Sequence, residues 1–188
     1  SSGKKLDFAK ISDVSEDQVS TRISTGIADL DLVLGGGIMV GGVMLVAGQP
    51  GIGKSTLLMQ VSAYISRSKK VLYVSGEESA AQVKSRAARL HGDEFIKSVN
   101  LSLASSTSAD DVAETIGAGE FDLVVVDSMQ TMAMADVASA PGTVSQITNS
   151  SNVIIRSAKK SDTAVMLVGH VTKDGSIAGP KVMEHLVD

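Results

Sequence analysis

The sequence predicts an α/β fold, in which a mostly parallel sheet carries helices on both faces. Three observations predict it: short Val- and Leu-rich runs recur along the chain, helical segments separate them, and a glycine-rich turn joins the first run to the first helix. Continuous apolar strands indicate burial on both faces, which is typical of a parallel sheet. Because such sheets bind ligands at the carboxyl ends of their strands, we look for site residues there.

Strands and helices alternate from residue 23 onward. The apolar runs predict five strands, at 43–47, 71–74, 99–103, 123–126 and 165–168. Between them the patterns predict helices at 55–67, 80–90, 108–117 and 143–160, the second of which begins with a capping box of Ser79 and Gln82. Residues 1–22 are polar and mixed in charge, so we interpret them as an N-terminal arm that begins with cloning residues, and residues 23–188 as one domain.

The composition excludes several functional classes. The 188 residues contain no Cys, which excludes a disulfide scaffold, a Cys-ligated zinc site and a Cys nucleophile in this chain. The formal net charge is −4, so a nucleic-acid contact would need a local basic patch, and an aromatic content of 3% argues against a base-stacking platform. No apolar run approaches the roughly 20 residues that span a bilayer. We therefore expect a cytoplasmic protein that does not bind membranes.

A complete P-loop motif lies between the first predicted strand and the first predicted helix, the context that this motif requires. Its glycines allow backbone N–H groups to surround phosphate oxygens, and the helix N-terminus adds a positive dipole. Lys54 would reach the β- and γ-phosphates, Ser55 would bind Mg²⁺, and Thr56 would make the next phosphate contact. The motif predicts ATP or ADP with Mg²⁺, bound by Gly48, Gln49, Pro50, Gly51, Ile52, Gly53, Lys54, Ser55 and Thr56.

Acidic residues follow two other predicted strands. Asp127 ends the fourth, where a carboxylate can hold Mg²⁺ through water in the Walker B role. Glu77 and Glu78 follow the second, where a base would orient the attacking water, and Glu77 is the first choice. The alternative for this pair is a structural role, because acids are favourable at a helix N-terminus. Lys54 joins the glutamates as a catalytic candidate because its charge would offset that of the transition state.

One histidine and several basic residues complete the candidate set. His170 ends the fifth predicted strand, where it would sense the γ-phosphate; the alternative is a capping or core histidine. Lys84, Arg86 and Arg89 share one helix and are interpreted mostly as a solvated face; the alternative for Arg86 is that it lies against the nucleotide base. Lys173 and Lys181, in the loop-like segment 172–181, would contact a polymer such as DNA; the alternative is that they are solvated loop lysines.

The whole pattern resembles the RecA-like ATPases and, among them, the bacterial RadA (Sms) family of DNA repair proteins. The resemblance covers roughly residues 20–188. The P-loop is shared by many families, whereas two segments are much more specific: Val74-Ser-Gly-Glu-Glu-Ser79, and the stretch from Gly169-His-Val-Thr-Lys-Asp-Gly175 to Asp188. Further similar segments are Arg22 to Gly37, Asp127-Ser-Met-Gln130 and residues 140–146.

This resemblance implies a RecA-type P-loop NTPase core with strand order 3-2-4-5-1, and a homo-hexameric ring in which ATP lies between subunits. It implies a DNA-dependent ATPase of the helicase type that moves on single-stranded DNA and drives branch migration of recombination intermediates, with the recombinase RecA as partner. By motif position, Glu77 resembles the water-activating residue and His170 the sensor that links the nucleotide to two DNA-binding loops. Those loops resemble residues 132–146 and 172–182.

Three segments of that family are not found in this sequence: a four-Cys zinc finger, a Lys-Asn-Arg-Phe-Gly motif and a Lon-protease-like domain. We therefore interpret the chain as the ATPase core alone. We expect its subunits to associate weakly, so that a monomer is one possible state, and we expect it to hydrolyse ATP slowly. Three alternatives stay open: a KaiC-like regulatory ATPase that binds no DNA, a DnaB-like replicative helicase core, and a small-molecule P-loop kinase.

Overall fold

A small β-ribbon precedes the main sheet. The computed structural model describes residues 3–14, 21–48 and 52–170. Strand β1 (Arg22–Ile23) pairs antiparallel with β2 (Ile38–Met39), and helix α1 (Ala28–Val33) lies between them in the chain. None of these short elements was predicted from the sequence. Among the described residues, the first paired strand begins at Arg22, the last residue of the predicted arm. The division into arm and core stays a prediction.

The central sheet is parallel throughout. Its strands are β3 (Val43–Gly48), β4 (Val71–Ser75), β5 (Leu101–Ser105), β6 (Leu123–Asp127) and β7 (Ala164–His170). They lie in the order β3-β7-β6-β4-β5, and every neighbouring pair is parallel. Numbered 1 to 5 along the chain, this is the order 3-2-4-5-1 read from the other edge. The predicted α/β class and the strand order implied by the resemblance are both confirmed.

Helices connect these strands and cover the sheet. They are α2 (Ile52–Ile65), α3 (Ala80–His91), α4 (Asp93–Ser98), α5 (Ala109–Gly117) and α6 (Val144–Ser161). At the starts of α3, α5 and α6, the side chains of Ser79, Ser108 and Thr143 each accept a hydrogen bond from a backbone N–H three residues further on. The predicted capping box of Ser79 and Gln82 is confirmed, because both of its hydrogen bonds are present.

The third predicted strand was placed too early. It occupies residues 101–105 instead of 99–103. Helix α4, which was not predicted, ends at Ser98, and Asn100 is used in the connection: its N–H donates to the Ser66 carbonyl and its carbonyl accepts from Val71. Helix α2 begins at Ile52, earlier than the predicted start at 55. The other predicted boundaries lie within two residues of those observed.

Apolar side chains form a layer on each side of the sheet. On one side, strand residues such as Tyr73 and Val125 pack with α2 and α3. On the other side, their strand neighbours Leu72 and Val124 pack with α5 and α6. Burial on both faces, predicted from the continuous apolar runs, is thereby confirmed. Across the described ranges, none of the helices has the length and apolarity needed to cross a bilayer.

The strand register aligns the carboxyl ends of β3, β7, β6 and β4. Gly48 lies opposite His170 in the β3–β7 pair, and Ser75 lies opposite Asp127 in the β4–β6 pair. Asp127 also lies opposite Val168 of β7. The end of the P-loop strand, the Walker B candidate and the start of the glutamate segment therefore meet at one edge of the sheet, as expected for a ligand site of this fold.

Candidate active site

The P-loop has its required context. Strand β3 ends at Gly48 and helix α2 begins at Ile52, so the strand–turn–helix arrangement predicted from the motif is confirmed. Of the predicted P-loop residues, Gln49, Pro50 and Gly51 lie outside the described residues. Lys54, Ser55 and Thr56 lie in the first turns of α2, where backbone N–H groups and the helix dipole favour an anion.

Lys54 has a buried ammonium group that makes no hydrogen bond to any described residue. Burial lowers the pKa of Lys54 below its ordinary value, while the nearby charges of Asp127 and Glu77 act in the opposite direction. An ammonium withdrawn from water costs free energy unless an anion compensates it. Lys54 therefore fits an anionic ligand such as a phosphate group, and its two carboxylate neighbours place it beside the predicted metal and base residues.

Asp127 is held by a neighbouring strand. The hydroxyl of Tyr73 donates a hydrogen bond to Asp127 Oδ2 at 2.7 Å. Tyr73 is 1% exposed, and burial, with the adjacent Asp127 charge and this hydrogen bond, raises the pKa of its hydroxyl. The hydroxyl therefore remains a donor at neutral pH. One carboxylate oxygen of Asp127 thus accepts a hydrogen bond from the protein, which holds the carboxylate at the end of its strand.

The two predicted glutamates lie in different surroundings. Glu78 is partly buried, its side chain forms an ion pair with Arg86, and its backbone N–H donates to the Ser75 hydroxyl at 3.0 Å. Glu77 is exposed, and its charge acts on Lys54. The segment is also fixed to Asp127, because the Gly76 N–H donates to the Asp127 carbonyl at 2.9 Å. This difference favours Glu77 over Glu78 as the residue that faces a phosphate.

A side chain at Gly76 would disrupt this arrangement. A Cβ atom there would overlap the side chain of Thr131, in the 3₁₀ turn that follows β6. The glycine therefore allows the glutamate segment to pack directly on the turn after Asp127. The specific sequence Gly76-Glu77-Glu78 combines a close backbone approach with two carboxylates at the strand end.

Arg86 is not part of a solvated helix face, and that interpretation was wrong. Its side chain is 17% exposed, whereas Lys84 and Arg89 of the same helix are exposed. Burial alone would lower the pKa of Arg86, but the Glu78 hydrogen bond and the charges of Tyr73, Glu78 and Asp127 raise it. The guanidinium thus lies at the carboxylate end of the site. Its predicted contact with a nucleotide base stays a prediction.

The described residues alone do not form a metal site. No group of three or more His, Asp or Glu side chains that could hold a metal ion occurs among the residues that the structure describes. Mg²⁺ in nucleotide sites keeps several waters and uses only one or two protein ligands beside the phosphates. The Ser55 hydroxyl and the Asp127 carboxylate are of the types that such a site uses.

Comparison with known proteins identifies the family. A family model described as an AAA domain matches residues 9–176. The chain belongs to the AAA domain family. With its parallel sheet and strand order, it is a RecA-type P-loop NTPase core.

Curated relatives of this AAA domain are named DNA repair protein RadA. Those from Rickettsia typhi and Listeria monocytogenes are 46% and 48% identical to it, over 99% and 91% of the chain. The relative from Escherichia coli is 45% identical over 95% of the chain. The chain covers 41%, 37% and 38% of these relatives, so it spans about two fifths of their length. The resemblance to the RadA family is confirmed by these matches.

Two polar residues of the AAA domain site were missed by sequence reasoning. Tyr73 was assigned only to the second strand, although its place two residues before Ser75 puts both on the same face of that strand. Gln130 follows Asp127 closely, and its side-chain amide is buried with neither atom bonded to any described residue. A polar residue three positions after an aspartate that ends a buried strand is the signal that would have identified Gln130.

The remaining predicted site residues lie partly outside the described ranges. Strand β7 ends at His170, as predicted, and the sensor role of this residue stays a prediction. Lys173 and Lys181 lie outside the described residues, as does the loop 172–182. The loop 132–146 is described: it runs from the turn after β6 into the start of α6.

Proposed function

We propose that this chain is the ATP-hydrolysing core of a DNA repair motor. The observation that carries the proposal is Lys54, a buried ammonium without a partner among the described residues, beside Asp127 and Glu77 at the carboxyl ends of parallel strands. A buried ammonium beside two carboxylates suits a phosphate chain together with a divalent cation and an attacking water.

The residues divide the chemistry among them. P-loop N–H groups and Lys54 bind the phosphates of ATP, and Ser55 and Asp127 would hold Mg²⁺, which neutralises phosphate charge when bound. Glu77 orients the attacking water and accepts its proton. Tyr73 keeps Asp127 in place through its 2.7 Å hydrogen bond. His170, at the end of β7, relays the state of the nucleotide to the following loop.

The DNA part of the proposal rests on the relatives and on the loops. The curated relatives carry the name DNA repair protein RadA, and we extend that role to this chain. Single-stranded DNA and recombination intermediates would contact the loops 132–146 and 172–182, with Lys173 and Lys181 as the cations. We further propose branch migration as the outcome, a homo-hexameric ring as the working assembly, the recombinase RecA as partner, and a cytoplasmic location.

Steady-state ATP turnover with and without single-stranded DNA tests this function. Glu77→Gln should reduce turnover by about 10²-fold or more, the scale of losing a general base, while ATP affinity stays within about 2-fold of the parent. Glu94→Gln is the matched control, because Glu94 is almost fully exposed on α4, and it should leave turnover unchanged.

Two results would overturn parts of the proposal separately. Full turnover in Glu77→Gln would remove the base assignment and leave the nucleotide site intact. Turnover that single-stranded DNA neither stimulates nor inhibits, together with no DNA binding in the presence of ATP, would overturn the motor and favour a regulatory ATPase of the KaiC type.

A further inference from the structure

Glu77 and Glu78 are adjacent, yet the fold treats them differently. The Glu78 side chain binds Arg86 of helix α3. For the Glu77 carboxylate, no hydrogen bond or ion pair with another described residue is found; its charge acts on Lys54. The two carboxylates therefore differ in conformational freedom, because the ion pair with Arg86 of the following helix restrains the Glu78 side chain.

Arg86 has more donors than Glu78 uses. One of its terminal nitrogens, Nη1, binds Glu78 Oε1, while the buried Nε and Nη2 atoms have no partner among the described residues. Asp127 is also near enough for its charge to act on Arg86, but its Oδ2 already accepts from Tyr73. The guanidinium is thus held within a group of carboxylates and directed to Glu78.

The backbone around Glu78 supports this ion pair. The Ser75 hydroxyl accepts from the Glu78 N–H, and the capping box of Ser79 and Gln82 fixes the first turn of α3, the helix that carries Arg86. Because Glu78 directly precedes the capped first turn and Arg86 lies about one turn further along the same helix, their side chains meet with little further loss of conformational freedom. Arg86 and Glu78 form a fixed unit.

We propose that Arg86 is a positioning residue that binds Glu78 and so leaves Glu77 to orient the attacking water, an inference that rests on the function proposed above. Arg86 also compensates one carboxylate charge in a site that must accept a polyanion. Without it, Glu78 is released beside Glu77, and the two compete for the same water.

A set of variants tests this assignment. Arg86→Gln should lower kcat by about 10-fold, on the scale of misplacing a catalytic group, with KM and ADP affinity within about 3-fold of the parent. Arg86→Lys, which keeps the charge and loses the planar fork, should recover part of the loss. Arg89→Gln, one turn further along and exposed, is the matched control and should turn over like the parent.

The decisive readout is the cost of Glu77→Gln in two backgrounds. In the parent it should be about 10²-fold; in Arg86→Gln it should shrink to about 10-fold or less, because the released Glu78 replaces the missing base. A purely structural role for Arg86 would leave the two costs equal. Calorimetric ADP affinity and near-ultraviolet circular dichroism show that each variant is folded and binds nucleotide.

The outcomes separate this inference from the proposed function. Equal costs of Glu77→Gln in both backgrounds, or parental kcat in Arg86→Gln, would overturn the role of Arg86 and leave the ATPase proposal standing. No cost of Glu77→Gln in the parent would instead overturn the base assignment itself. If Arg86→Gln does not fold, the same comparison is made with Arg86→Lys, for which equal costs of Glu77→Gln in the parent and in that background contradict the inference.

Discussion

Two regions of this protein bury polar side chains in opposite ways. Gln146, at the start of α6, is 1% exposed, and its amide makes four hydrogen bonds: it accepts from Met134 N–H and the Ser150 hydroxyl, and it donates to two carbonyls of the preceding loop, those of Val137 and Ser139. At the opposite extreme, the buried Nζ of Lys54 has no partner among the described residues.

The difference shows how to distinguish a structural polar group from one reserved for a ligand. A buried group with all its hydrogen bonds made stabilises the fold, whereas a buried group without partners costs stability unless something binds it. Through these hydrogen bonds, Gln146 stabilises the packing of the loop 132–146 against the start of helix α6. In contrast, Lys54 Nζ and the Nε and Nη2 atoms of Arg86 make no hydrogen bonds to described residues. These atoms lie near the carboxylates of the proposed site, where the phosphates of a nucleotide would bind.

The largest expected effect is on Lys54. Lys54→Ala should weaken ADP–Mg²⁺ binding by about 100-fold or more, the scale of losing charge-assisted hydrogen bonds to phosphate. Without nucleotide, thermal stability should stay equal or rise, because a buried ammonium that makes no hydrogen bond to a described residue is removed. Calorimetry and thermal unfolding measure both effects, with the exposed Lys84→Ala as control. A loss of stability with unchanged ADP affinity would place Lys54 in the structural class with Gln146.

Gln146 should show the reverse pattern. Gln146→Leu leaves its four hydrogen-bond partners unpaired and should reduce the free energy of unfolding by about 2–3 kcal/mol, which lowers Tm by roughly 4–12 °C in a chain of this size. ADP affinity well below Tm should stay within about 2-fold. Asn149→Ala is the control, since Asn149 is exposed and bonds only the Ser145 carbonyl of its own helix among the described residues.

The smallest effect is expected at a polar group that makes its hydrogen bonds but is only partly buried. Asp31 accepts hydrogen bonds from the Ser24 hydroxyl at 2.6 Å and from the Thr25 N–H at 2.8 Å. Although burial acts to raise its pKa, these bonds lower it below the ordinary 3.8. Asp31→Asn should therefore cost less than about 1 kcal/mol at pH 7, because solvent screens the carboxylate.

The sign of the pH dependence tests this last comparison. A depressed carboxyl pKa contributes stability that is complete above the ordinary pKa and is lost as pH falls through the lower, folded-state value. The Tm difference between the parent and Asp31→Asn should thus be full at pH 7 and shrink below pH 3.8. Asp29→Asn, a substitution at an exposed position of the same helix, is the control for the mutation itself. A difference that grows in acid would contradict the assignment.

Local patterns were sufficient to predict the sheet and the P-loop. The apolar runs indicate strands that are buried on both faces, and the capping box at Ser79 indicates the start of a helix. Each of these signals lies within a few consecutive residues of the sequence. Asp127 was also predictable, because a carboxylate at the end of a buried strand is conspicuous beside a P-loop. Strand β5 was misplaced because the short helix α4 has no clear apolar period of its own.

Contacts between distant residues could not be predicted in the same way. The hydrogen bond from Tyr73 to Asp127 joins residues 54 positions apart. The local sequence around either residue gives no indication of it. Arg86 has the sequence signature of a solvated helix cation, and only the packing of α3 against the sheet brings it to Glu78. The environments of Glu77 and Glu78, which the sequence left open, are decided by that packing.

A structure with Mg²⁺ and a non-hydrolysable ATP analogue tests the central claim most directly, because it shows which buried groups were reserved for the ligand. We expect Lys54 Nζ within about 3.2 Å of a phosphate oxygen, Glu77 facing the terminal phosphate, and Glu78 still paired with Arg86. Lys54 without a phosphate contact, or Glu78 released from Arg86 and placed at the terminal phosphate, would contradict it.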